Sequence, residues 1–310
     1  MTQTHFSVLK TEVVNGLLTK KNGTYIDGTY GRGGHSDALL KALDVSGRLI
    51  ALDRDHEAIT DAKRRLGHDK RFEIYHCAFS QLKEVTTPLG LTGKVSGILL
   101  DLGVSSPQLD VAERGFSFNK DGALDMRMDQ RQEVNAKEWV NAAPEREICD
   151  VLKTLGEERY ARRIARAIVG ARRTAPIHTT AQLAAIVSQA HPSWEIGQHP
   201  ATKTFQAIRI HINRELEELE KCLEQCLDVL EVGGRLAVIS FHSLEDRIVK
   251  RFIRQHSVGV PLPKEIPLAH APGFVQRLKN ASGIIRPSQR EIQINPRSRS
   301  AIMRITEKLQ

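Results

Sequence analysis

The stretch Thr24–His35, TYIDGTYGRGGH, limits what this chain can fold into more than any other. A short β-type run (Thr24, Tyr25, Ile26) meets a loop holding Gly28, Gly31, Gly33 and Gly34. A helical pattern with Ala38, Leu39, Leu40 and Leu43 follows. Strand, glycine turn and helix in that order form half of a βαβ unit, from which parallel sheets are built. Glycine lets backbone approach a ligand closely, and the first turn of the following helix offers unpaired N–H groups. Glycine-rich turns also close ordinary strand–helix units, so the loop gains weight only with its surroundings. Asp53 ends the next apolar run, Arg48–Leu52, at the place where an acid can hold ribose hydroxyls.

The loop departs from the dinucleotide pattern G-x-G-x-x-G. Counting from Gly31 and Gly33, the third glycine falls on Ser36. Asp27 would repel a pyrophosphate but attract the ammonium of an amino acid. S-adenosylmethionine (SAM) has a ribose, an ammonium and a sulfonium but no phosphate. It fits this loop better than a nicotinamide dinucleotide does.

Further strands are expected at Arg48–Asp53, Phe72–Cys77 and Val95–Leu102, with a helix at about Glu57–Leu66. The last strand, VSGILLDL, is apolar until Asp101, as befits a strand buried on both faces. Alternating strands and helices give an α/β class with a parallel, doubly wound sheet, whose ligands sit at the carboxyl ends of the strands. Asp27, Asp53, Phe79 and Asp101 all fall at those ends, and Phe79 could cover a purine ring or pack in the core.

From residue 108 to 201 the alternation stops. Helices are expected at Asn135–Val140, Glu145–Leu155, Glu157–Arg173 and Thr180–Ala190. In the third, Arg159, Arg162, Arg163, Arg166 and Arg173 recur at helical steps opposite Tyr160, Ile164 and Ile168, with Arg172 adding charge at its end. A solvated face is the plain explanation; contact with an RNA backbone is the other. One long helix, Lys203–Leu230, then leads to a strand at Arg235–Phe241 and a helix at Leu244–Arg254 capped by Ser243 and Asp246. The acidic residues Glu215, Glu217, Glu218 and Glu220 of the long helix read as a solvated face. Residues 257–290 read as a loop, and Glu291–Ile294 and Ala301–Thr306 as two closing strands. The expected organisation is a discontinuous SAM-binding domain (1–107 and 202–310) with an inserted helical RNA-recognition domain (108–201).

A formal charge of +8 and a pI near 9.4 favour a polyanionic partner. Cys77, Cys149, Cys222 and Cys226 form neither a C-x-x-C pair nor a zinc spacing, so a reducing, cytoplasmic setting and no metal are expected. The first residues lack a signal-peptide pattern and no run approaches eighteen apolar residues, so no membrane association is expected. His242 beside Ser243 lacks the G-x-S-x-G context of a hydrolase. Oligomeric state is left open, a homodimer included.

The motifs Asp27–His35, Ala51–Asp55, Asp101–Asp110, Arg114–Phe118, Leu124–Met128, Ser240–Asp246 and Asn295–Arg299 closely resemble those of the ribosomal small subunit methyltransferase H family, nearly end to end. The resemblance implies a class I methyltransferase fold with a helical insertion. It implies transfer of methyl from SAM to the exocyclic N4 of one cytidine in 16S rRNA, near the ribosomal P site, with rRNA or the small subunit as partner. Carried over by position, SAM contacts fall on Gly33, Gly34, His35, Asp53, Phe79, Asp101 and Gln108. Activation of the amine falls to Asp101 or neighbouring carbonyls, with Ser105 and Ser106 lining the pocket. A methyltransferase acting on another RNA or a small molecule is the alternative reading, and the latter would not need the arginine face.

Overall fold

The computed structural model describes residues 7–192, 199–259 and 274–310. The chain folds as two compact units, one formed by residues 1–103 with 216–310 and the other by 104–215. Among the described residues no helix is long and apolar enough to cross a membrane.

The first unit begins with α1 (Lys10–Leu17), β1 (Thr24–Asp27), α2 (Gly34–Ala42), β2 (Arg48–Asp53), α3 (His56–Leu66), β3 (Phe72–His76), α4 (Leu82–Thr86) and β4 (Val95–Asp101). The second holds α5 (Ser106–Asp110), α6 (Ala136–Ala142), α7 (Glu145–Leu155), α8 (Ala161–Thr174), α9 (Thr180–Ala190) and α10 (Thr202–Asn213). α11 (Glu215–Val229), β5 (Leu230–Ser240), α12 (Ser243–Ser257), β6 (Leu278–Asn280), α13 (Gln289–Ile294) and β7 (Ile302–Lys308) complete the chain.

The sheet of the first unit runs β3-β2-β1-β4-β5-β7-β6. β1 to β5 pair in parallel, whereas β7 runs antiparallel to both β5 and β6. The α/β reading therefore holds, with an antiparallel edge. β1 lies between β2 and β4, so the connections leave it in opposite directions, and the crevice at its carboxyl end is where such sheets bind ligands. The central strands are apolar because helices cover both faces: Leu49, Ile50, Ala51, Ile98 and Leu99 are fully buried.

In the second unit α7 and α9 coincide with the apolar pattern. α8 starts later than periodicity suggests, because Glu157 adopts φ 47° and the Glu158 carboxylate accepts the Tyr160 N–H (2.8 Å), so the helix propagates only from Ala161. The expected long helix at 203–230 is broken. Arg214 adopts a left-handed conformation (φ 50°, ψ 36°) between α10 and α11, with no glycine or proline to announce it. One continuous apolar stripe consequently serves two cores. Phe205, Ile208 and Ile212 pack in the helical unit, and Leu219, Leu223 and Leu230 in the sheet unit. The compact helical unit accordingly extends to Glu215 rather than ending at residue 201.

Asn213 secures that break inside the helical unit. Its Oδ1 accepts the Met128 N–H (2.8 Å), and its Nδ2 donates to the Met126 (2.7 Å) and Arg209 (2.9 Å) carbonyls, the Asn213 side chain itself being fully buried. Removing it strands buried backbone groups, each of which costs about 1–3 kcal/mol. Asn213→Ala is therefore expected to destabilise the protein by roughly 2–4 kcal/mol in urea unfolding; a loss within experimental error would show that these bonds contribute little.

Four other readings change. Glu291–Ile294 alternates like a strand, but the Ser288 hydroxyl accepts the Glu291 N–H (3.2 Å) and starts α13 instead. The acidic face of α11 is engaged: Glu215 is buried against Arg209 (2.9 Å), Glu218 accepts from Ser80 and Glu220 pairs with Arg251. His242, not Ser243, is the cap residue of α12. In the expected loop 257–290, residues 260–273 lie outside the described residues, and Leu278–Asn280 pairs with β7 as a strand.

Candidate functional site

The glycine loop after β1 is held by its own side chains. Asp27 is 1% exposed; its Oδ1 accepts the Thr29 N–H (3.1 Å) and its Oδ2 accepts from the Ser36 hydroxyl (2.7 Å). Ser36 stands where a dinucleotide loop would carry its third glycine, so the departure from that pattern supplies a hydroxyl that fastens the loop to β1. Burial pushes the Asp27 carboxyl above its ordinary pKa. Gly33 adopts φ 68° as it starts α2, and a Cβ there would collide with the buried Tyr30 hydroxyl. Only glycine satisfies both conditions.

Asp53 closes β2 and turns toward the same loop. Its Oδ2 accepts the Gly31 N–H (2.8 Å) and its Oδ1 the Asp55 N–H (2.8 Å). Burial outweighs these two bonds and raises its pKa to about 6. Phe79, half-buried in the turn that follows β3, approaches Gly28: a Cβ on that glycine would lie 3.4 Å from Cβ of Phe79.

Asp101 ends β4, its N–H donating to the Thr29 hydroxyl (2.7 Å). The buried His35, in the first turn of α2, places Nε2 3.4 Å from Asp101 Oδ2. Burial opposes charge on this imidazole, but the Asp101 carboxylate, with Asp27 behind it, outweighs that and sets its pKa above the ordinary value. Asp101 Oδ1 and both ring nitrogens of His35 are buried without a hydrogen-bond partner. Unpartnered buried polar atoms at the carboxyl end of a parallel strand are what a polar ligand satisfies. Thus the fold gathers Asp27, Gly33, Gly34, His35, Asp53, Phe79 and Asp101 around one loop. The residues fit SAM: a carboxylate bonded to the loop that can accept ribose hydroxyls, a half-buried aromatic beside Gly28, and buried polar atoms without a hydrogen-bond partner at Asp101 and His35.

Gln108, Ser105 and Ser106 belong to the helical unit. Gln108 is buried, and its Oε1 accepts the Ser105 N–H (2.9 Å) at the start of α5, which Ser106 opens. Sequence reasoning misses Thr29, Ser36 and Glu245. Thr29 lies between Gly28 and Gly31, where its position reads only as a spacer, and Ser36 lies in the first turn of α2, where it reads only as the missing third glycine. Glu245 is 2% exposed, accepts the Phe241 N–H (2.7 Å), and lies 3.1 Å from His242 Nε2, so it orients the chain leaving β5.

On α8 the side chains of Arg162, Arg163, Arg166 and Arg173 are exposed, and Arg159 precedes the helix with its guanidinium 5.5 Å from the Tyr160 ring centroid. Arg166 reaches Glu145 only at 3.9 Å while 76% exposed, a pair of small worth. Arg172 differs. It donates to the carbonyls of Val140 (2.6 Å) and Ala143 (2.7 Å) and serves as an internal tie, not as part of the charged face.

A family model described as the MraW methylase family matches residues 2–309. The Ribosomal RNA small subunit methyltransferase H of Legionella pneumophila (strain Paris) is 55% identical over 305 residues, covering 98% of this chain and 99% of its own. The protein of the same name from Coxiella burnetii (strain RSA 331 / Henzerling II) is 54% identical over 307 residues, 99% of each. The glycine loop, the Asp53 carboxylate bonded to it and the Asp101–His35 pair therefore stand in a chain that belongs to the MraW methylase family and is a SAM-dependent methyltransferase.

Proposed function

We propose that this enzyme methylates the exocyclic N4 of one cytidine of 16S rRNA near the P site of the small subunit, in the cytoplasm. The observation that carries the reading is Asp101 Oδ1, buried and without a partner beside His35 at the end of β4. SAM supplies an electrophilic methyl group on its sulfonium. The amino nitrogen of cytosine is conjugated with its ring and a weak nucleophile. An acceptor that takes a hydrogen bond from one of its N–H groups draws the lone pair out of conjugation and receives the proton that must leave as the N–C bond forms and the methyl–sulfur bond breaks, its electron pair staying on the thioether. Asp101 offers such an acceptor. Its N–H bond to Thr29 fixes it against the glycine loop, and alignment of donor and acceptor supplies roughly 7–11 kcal/mol of the barrier reduction.

Asp53 accepts the ribose hydroxyls. Asp27, with almost no exposed surface, acts as a positioning residue that holds the loop through Ser36 and Thr29. The names of the homologues and the arginine face of α8 support an RNA substrate, the arginines contacting phosphates while the target base leaves its stack at a cost of a few kcal/mol.

Transfer of labelled methyl from SAM to small subunits lacking the modification, followed by nucleoside analysis, tests the assignment. Label on N4 of a single cytidine is expected; label on a small molecule, independent of RNA, would overturn it. A second expectation follows from Asp53. Because burial holds its pKa at about 6, acidification below that value protonates the free site and removes one acceptor for the ribose. SAM affinity is expected to fall by up to roughly tenfold per pH unit below pH 6 and to level off above pH 7. Calorimetric titration across pH 5–8 checks it; a flat profile would remove Asp53 from the ribose.

A further inference from the structure

The segment 284–300 carries Arg286, Arg290, Arg297 and Arg299 against one carboxylate, Glu291. It resides in the sheet unit, apart in sequence from the arginine face of α8. Arg286, Arg290 and Arg299 are exposed, and none pairs with a carboxylate among the described residues. Ile284 and Ile294 stand 55% and 57% exposed among them.

Hydrogen bonding fixes where this segment lies. The Ala281 N–H donates to Ile305 O (2.9 Å) and Ile285 bridges to Met303, so the chain climbs beside β7. It then passes through α13 and the turn Pro296–Ser300 and re-enters β7 at Ile302, opposite Ser240. Ser240 ends β5, which is parallel to β4. The turn therefore lies at the sheet edge where Asp27, Asp53 and Asp101 end their strands. A second link is direct. Glu291 Oε1 accepts the Leu9 N–H (2.7 Å), the neighbouring Lys10 is close enough for its charge to act on His35, and Ser7 sits against Gly34. The acids nearby do not cancel the charge: Glu291 offsets one of the four arginines, and Asp246 is paired with Arg304 (2.7 and 3.0 Å).

We propose that residues 284–300 form a second RNA-docking surface, on the catalytic unit itself, that holds phosphates flanking the target nucleotide beside the methyl-donor loop. The inference rests on the rRNA reading above. Nucleic acid matches both features of the segment, unpaired guanidiniums for phosphates and exposed apolar side chains for base faces. The position of the segment favours it over an anionic membrane, because a base delivered to Asp101 keeps its neighbouring phosphates within reach of the same edge.

The test is the triple variant R286Q/R290Q/R299Q in the full-length protein, measured for binding to small-subunit rRNA over a range of salt, with SAM affinity and thermal melting alongside. The expected result is a 10- to 100-fold loss of rRNA affinity at 0.1 M salt and a log–log salt slope shallower by about 2, at roughly 0.7 per phosphate contact. SAM affinity and melting should match the parent protein. A slope and affinity within twofold of the parent would overturn the proposal while leaving the rRNA reading intact. So would retention of the parent, but not the variant, on vesicles of anionic lipid with rRNA affinity unchanged. A parent protein with no salt-dependent rRNA affinity would remove the underlying reading, and this inference with it.

Discussion

Asp101→Asn is expected to lower methyl transfer to small subunits, at saturating SAM, by about 10²–10³-fold, the loss typical when one buried group acting on the transition state is removed. The substitution keeps the shape of the side chain and leaves the backbone N–H bond to Thr29 in place, so the glycine loop should survive. What disappears is the charge that holds the His35 pKa up and the acceptor that takes the amine proton. Turnover and SAM affinity must be measured separately. A collapse of SAM affinity with normal turnover at saturation would make Asp101 a cofactor contact and end its role in activation.

The variant R162Q/R163Q/R166Q is expected to bind rRNA about a hundredfold more weakly at 0.1 M salt, with the salt slope reduced by roughly 2. Filter binding at several salt concentrations measures both. These side chains project from α8 opposite Ile164, Ala165 and Ile168, which are fully buried, so the fold should not register the change. Arg172 is left untouched because it ties α8 to Val140 and Ala143. SAM affinity should stay within twofold, and unchanged RNA affinity would reduce the charged face to a solvated surface.

The parts of this structure that announce themselves in sequence are those where local chemistry and tertiary demand agree. The strands β2 and β4 are legible because burial on both faces imposes apolar runs, as at Leu49–Leu52 and Ile98–Leu100. The acids at the strand ends follow, since Asp53 and Asp101 interrupt those runs and Asp27 ends β1 at the same carboxyl edge. Arg214 shows the opposite case. Its left-handed backbone is imposed by packing and by the bonds of Asn213, so a stripe of uninterrupted helical period conceals a boundary between two units. α13 shows another, where a single serine hydroxyl overrides an alternating pattern. Pairings such as His35 with Asp101 join distant segments, and no spacing rule within one segment reveals them. The helical face on α8 is readable as periodicity, whereas the charged turn at 286–300 has no period and becomes a surface only when β7 folds back beside β5.

The interruption of the sheet by a self-contained unit also sets a schedule for synthesis. β4 leaves the ribosome with one edge unpaired, and its partner β5 arrives only after the whole of residues 104–215 has been made. At translation rates of roughly 5–20 residues per second that wait is on the order of ten seconds. The helical unit can form its core from local contacts in that interval, as soon as Asn213 has emerged to lock Met126 and Met128. The nascent enzyme thus passes through a stage at which its arginine-bearing half is finished while the edge of β4 lies open. That stage is where chaperone demand and misassembly should concentrate.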